Sequence, residues 1–143
     1  MFALVAHTAS GSDITHGNYI GSGRACYGTL TITAARITWM TPFSRCDSSP
    51  YTVRNRQEGP DGLRVVYEFL RPSGKCLYHV LVPTHAAVAD SGIGWNVVGY
   101  ASLDAAARSR TEDALGCYLY RPTAAKNVRY DERFARLKAL AAY

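Results

Sequence analysis

From Cys26 onward, apolar and polar residues alternate in short bursts separated by turn formers. Residues 26–33, CYGTLTIT, put Cys26, Gly28, Leu30 and Ile32 on one face and Tyr27 with three threonines on the other. A period of two marks a half-buried strand. Ala34 and Ala35 make the turn, and residues 36–40 continue with Ile37 and Trp39 inward, which completes a hairpin. Residues 41–50 hold two prolines and a run of turn formers, and they predict a loop carrying Phe43 and Cys46. A strand follows over 51–57, and Gly59-Pro60-Asp61-Gly62 turns the chain. Residues 63–70 and 76–82 carry apolar side chains on both faces, so they predict central strands joined through Pro72-Ser73-Gly74.

The period changes beyond Val82. Thr84 caps a single predicted helical turn that stops near Ser91-Gly92, and residues 95–101 return to a strand. Ser102 is placed to cap a helix over 103–115, with Asp104 near its positive end and Gly116 just past its last turn. Cys117 to Tyr120 reads as a short strand ended by Pro122. Residues 130–142 carry Asp131 and Glu132 in a first turn, then Phe134, Leu137 and Leu140 at helical spacing, the pattern of a docking helix. The prediction is an α+β fold: an antiparallel meander of six or seven strands, open or curled into a part-barrel, with two helices in its C-terminal part.

Residues 7–23 are small, polar and glycine-rich, and cannot bury enough apolar surface to hold themselves in place. They predict a flexible arm over 1–23, its first anchored residues being Tyr19 and Ile20, with the apolar start at residues 1–6 read as the tail of an export signal or a cloning remnant. Residues 24–143 then form one globular domain, since 143 residues suit one hydrophobic core and not two. No apolar run approaches the roughly 20 residues that a spanning helix needs. The formal charge of +5 comes mostly from arginines spread along the chain rather than gathered in a patch, which argues against nucleic acid.

Four cysteines, Cys26, Cys46, Cys76 and Cys117, form no C-x-x-C pair and are even in number, a usage that favours two disulfides over a metal site. Of the three possible pairings, Cys26–Cys46 with Cys76–Cys117 joins segments read as strands or strand-adjacent turns. Disulfides imply an oxidising home, so a periplasmic or secreted location is expected.

No catalytic set, metal ligand group or cofactor motif assembles from the sequence. Cys76 and His79 fall three apart on a predicted strand and so face opposite sides of the sheet. Ser10, Ser12, Asp13 and His16 have hydrolase-like identities but lie on the predicted arm, where nothing rigid would hold a triad. Asp47, Glu58, Asp61 and Glu68 offer acidic pairs of no special spacing. Aromatic residues are more suggestive: ten tyrosines interleave with arginines, the two being enriched at protein-binding hot spots. Tyr27, Arg36, Tyr51 and Arg54 are therefore the candidate binding residues.

Two resemblances bear on function. Gly17-Asn-Tyr-Ile-Gly21, ahead of a run of hairpins and a final helix, resembles the lipocalin layout, with tyrosine where that family's first strand has tryptophan and without its later T-D-Y element. It implies a barrel that carries a small ligand. Ser10-Gly11-Ser12-Asp13 is similar to part of the S-G-[SA]-x-Y loop of exported lysozyme inhibitors of Gram-negative bacteria, whose Y-x-x-x-T-K-G motif is missing here. The expectation is an exported, non-catalytic binding protein of bacterial type that engages a partner protein or cell-envelope component, with a hydrolase-like enzyme or lipocalin-like carrier as the alternative.

Overall fold

The computed structural model describes residues 13–86 and 94–121. Eight antiparallel strands close into a barrel in sequence order: β1 (Gly17–Gly21), β2 (Gly28–Ile32), β3 (Arg36–Met40), β4 (Arg45–Gly59), β5 (Gly62–Phe69), β6 (Val80–Ala86), β7 (Gly94–Tyr100) and β8 (Leu115–Tyr120). Each strand pairs with the next. The closing seam between β1 and β8 is short, joining Ile20 to Tyr120 and Gly21 to Leu119. A single short helix among the described residues, α1 (Leu103–Ala107), lies between β7 and β8.

Alternation makes the core. Tyr19, Leu30, Trp39, Val65, Tyr67, Leu81, Trp95, Val97 and Leu119 all point inward and are almost fully buried. They fill the barrel interior, as eight strands leave little more than the width of packed side chains. Large rings need room, and glycine supplies it: a Cβ on Gly99 would lie 2.6 Å from the Trp39 ring and 2.8 Å from the Tyr78 ring. A second cluster sits outside the barrel, where Val66, Val80, Val82 and Tyr100 are covered by Ala106 of α1. That cover explains why β5 reads as apolar on both faces.

Several expectations are corrected by closure. The meander has eight strands and no open edge, because residues 17–21 form β1 rather than part of a loose arm. Only Tyr19 and Gly21 face inward there, so two residues suffice to seat a segment that looks too polar to fold. β4 begins at Arg45, inside the predicted loop. Its Pro50 lies where pairing passes from β3 to β5, and the Pro50 carbonyl accepts from the Leu70 amide. Residues 76–79 are not strand, and β6 begins at Val80. Thr84 belongs to β6 rather than to a helical turn. The helix expected over 103–115 stops at Ala107; Ser102 does cap it, its hydroxyl accepting from the Ala105 amide at 3.1 Å, but Ser109 and Asp113 adopt positive φ and break the run. The helix expected over 130–142 and the first twelve residues lie outside the described residues.

The cysteines are oxidised as Cys26–Cys117 and Cys46–Cys76, with Cα separations of 5.6 and 4.4 Å. The expected pairing of Cys26 with Cys46 and Cys76 with Cys117 is overturned. An open sheet gives β8 no reason to approach the β1–β2 loop, whereas closure sets Cys117 beside Cys26 across the seam. No helix among the described residues is long and apolar enough to cross a membrane.

Candidate functional site

The strand order sorts the connections between two ends. The β1–β2, β3–β4, β5–β6 and β7–β8 connections share one end with both disulfides, and the β2–β3 and β4–β5 turns lie at the other. At the disulfide end the loops are tied together: the Ser44 hydroxyl accepts from the Leu77 amide at 3.0 Å, and the Ser73 hydroxyl donates to the Arg45 carbonyl at 2.7 Å. Phe43 and Leu77 stand exposed on these braced loops.

Polar contacts close the other end. The Thr15 hydroxyl donates to Asp13 Oδ1 at 2.9 Å, which leaves Tyr67 as the donor in its 2.5 Å contact with Thr15 Oγ1. The Tyr19 hydroxyl donates to the Thr15 carbonyl at 2.6 Å, and the Arg121 guanidinium donates to the Ile14 carbonyl. Arg56 pairs with Asp13 at 3.0 Å. Burial works to raise the Asp13 pKa, but hydrogen bonds from Thr15 and the charges of Arg56 and His16 outweigh it, and the carboxyl is held below its ordinary range. Burial pushes the Tyr67 phenol up to about 12, and raises Tyr19 and Tyr51 as well.

Beside this closure, residues 51–59 of β4 run past the last β3 partner and pair with β5 alone, ending in the tight turn between Gly59 and Gly62. Below the projecting hairpin lies a recess of about 670 Å³, whose lining includes Gln57, Glu58, Arg64, Thr84, His85 and Asn96. Register places the lining on both faces of the sheet at this rim: Glu58, Leu63 and His85 are partners on the inward face, and Gln57, Arg64, Thr84 and Asn96 on the outward one. Gln57, Arg64, Thr84, Asn96 and Tyr118 are successive partners across β4, β5, β6, β7 and β8, so they share one face. Their neighbours Leu63, Trp95 and Leu119 point into the core, which sets this row outward. Tyr118 is 47 % exposed, and its hydroxyl lies over Gly94, where a Cβ would be 1.7 Å away. The Tyr120 ring meets it edge-on with centroids 5.1 Å apart.

His85 stacks on Trp95 at 4.5 Å, with its Nδ1 3.0 Å from the Gly94 carbonyl. Trp95 is 1 % exposed, and its Nε1 has no hydrogen-bond partner among the described residues. Arg56 is committed to Asp13 and lies 3.8 Å from Glu58.

The four residues expected to bind do not form one surface. Arg36 donates to the Ser48 hydroxyl and carbonyl, Tyr51 donates to the Thr33 carbonyl and packs edge-on against Tyr67, and Arg54 is paired with Glu68 at 2.5 Å. These three lie along β3 and β4, while Tyr27 belongs to the β1–β2 connection at the disulfide end. Cys76 and His79 sit in a loop rather than on a strand: the thiol is oxidised, and His79 Nε2 lies 3.1 Å from the Cys76 carbonyl. Of the hydrolase-like set, Ser10 and Ser12 lie outside the described residues, and Asp13 and His16 are 3.9 Å apart. No group of three or more metal-ligating side chains gathers among the described residues.

Sequence reasoning missed the row from Gln57 to Tyr118. The Gly59–Gly62 turn does fix Gln57 opposite Arg64, but the other registers pass through connections whose lengths specify no pairing. Compared with protein-family models, curated proteins and solved structures, the chain matches none.

Proposed function

We propose that this protein is an exported, non-catalytic binding module, working in the periplasm or outside the cell, that holds a cell-envelope component in the recess beside the β4–β5 hairpin. The observation that carries this reading is the contrast between a filled interior and a recess at the barrel rim, under the β4–β5 hairpin. A carrier of the lipocalin kind needs space inside the barrel, and here that space is occupied by Trp39, Trp95, Tyr19 and Tyr67. The rim offers a recess of about 670 Å³, within the range of small-ligand sites, and its polar side chains come from four adjacent strands. Sites on rigid strands hold their geometry better than sites on loops. Two disulfides suit an oxidising compartment.

A chemical-shift screen with a library of small polar compounds tests this reading. Compounds that bind are expected to move the amides of Gln57, Arg64, Thr84 and Asn96 together, and Arg64→Ala is expected to abolish those shifts with the fold intact. Binding that clusters elsewhere, or none across the library, overturns it.

A further inference from the structure

We infer that an uncharged saccharide chain starts in the recess and runs out of it along the outward row to Tyr118, which lies beyond the recess lining as the cross-strand partner of Asn96 and serves as the stacking platform; the inference rests on the recess being the binding site. The row from Gln57 to Tyr118 crosses four strand spacings, about 19 Å at ~4.8 Å each. That length suits an extended oligomer better than a compact metabolite.

The residue types select the chemistry. The side-chain amides of Gln57 and Asn96 each offer donors and an acceptor, which matches the hydroxyls of a sugar ring, themselves both donor and acceptor. Arg64 adds a planar fork able to bridge two adjacent oxygens, and no ion pair engages it among the described residues. Thr84 Oγ1 donates to the Asn96 carbonyl at 3.3 Å, so its lone pairs remain as acceptors. At the end of the row, Tyr118 presents an aromatic ring to solvent while Gly94 beneath and Tyr120 beside it fix its position. A ring held in place loses little freedom when the apolar C–H face of a sugar stacks on it.

Other ligand classes fit less well. A polyanion calls for converging cations, but Arg56 is neutralised by Asp13, and Glu58 and Asp61 line the same recess. An apolar ligand would leave four polar side chains desolvated without partners. A neutral polyol satisfies them.

The test is an amide chemical-shift titration of the whole chain with chitotetraose, cellotetraose and maltotetraose, with inorganic phosphate as the anionic probe. At least one tetrasaccharide is expected to move Gln57, Arg64, Thr84, Asn96 and Tyr118 as a connected set. Tyr118→Ala and Asn96→Ala are each expected to weaken that binding at least tenfold, whereas Tyr27→Ala, at the opposite end, leaves it unchanged; retained amide dispersion shows that each variant is folded. If no tetrasaccharide moves the row, the saccharide inference is overturned. In that case, shifts at the row from phosphate or from library compounds preserve the recess as a site, and their absence removes both readings. Equal affinity in wild type and both row variants also overturns the inference.

Discussion

The two ends of this barrel are held by different chemistry. At one end, two disulfides tie the loops, and α1 covers the adjoining outer cluster. At the other, a relay from Tyr67 through Thr15 to Asp13, the Arg56 ion pair and the Arg121 contact close the opening without a covalent bond. The recess opens at this second end. Where cross-links and a filled interior already secure the fold, wall residues such as Arg64 and Asn96 are free to be selected for what they contact rather than for what they hold up.

The largest effects are expected from the covalent end. Loop-entropy reasoning gives about 4.6 kcal/mol for the 91-residue separation of Cys26 and Cys117, against about 3.6 kcal/mol for the 30-residue separation of Cys46 and Cys76. Urea denaturation of the two double-serine variants is expected to rank them in that order, and a reversed ranking would show that the seam is not where the first bridge acts.

Gly99→Ala is the next largest, because its methyl group meets Trp39 and Tyr78 inside the packed barrel. Overpacking of this kind costs about 1–3 kcal/mol, read as a lower thermal midpoint.

At the polar end, Tyr67→Phe removes the donor to Thr15 and is expected to cost about 1–2 kcal/mol near neutral pH. The same residue gives the closure a pH dependence. Its folded pKa of about 12 exceeds the ordinary 10.0, so its contribution is complete below about pH 10 and is lost as pH rises from there toward 12. Stability curves across that window are expected to fall less steeply in Tyr67→Phe; Tyr19 and Tyr51, shifted the same way, keep part of the slope. A smaller effect is expected at the helix. Ser102→Ala removes the cap of a five-residue helix and is expected to lower stability by roughly 1 kcal/mol or less, with no change at the recess.

What the sequence revealed and what it hid divide along a physical line. Strands whose alternation is local, such as β2 and β3, were legible because inward Leu30, Ile32, Ile37 and Trp39 announce their own face. β1 was hidden because its burial is supplied by partners: Tyr19 is inward only once β2 and β8 flank it. The helix after Ser102 was overextended because the cap was readable, but its end depends on backbone turns at Ser109 and Asp113 that no stop residue marks. The cysteines announced oxidation but not partners, since pairing follows closure. The candidate site was the least legible part. Its members are separated by whole strands in sequence, and Tyr118 was visible only as the outward residue between Cys117 and Leu119.

The short seam also sets an order of events. Every strand pair but one joins neighbours in sequence, so the hairpins can form early and extend the sheet from within. Contact between Ile20 and Tyr120 must wait, since long-range pairing meets its full loop-closure entropy before any bond rewards it. Oxidative refolding is therefore expected to form Cys46–Cys76 first and Cys26–Cys117 last, with the second bridge acting as a latch on an already rolled sheet. Quenched samples mapped by mass spectrometry would show the two bridges appearing in that sequence.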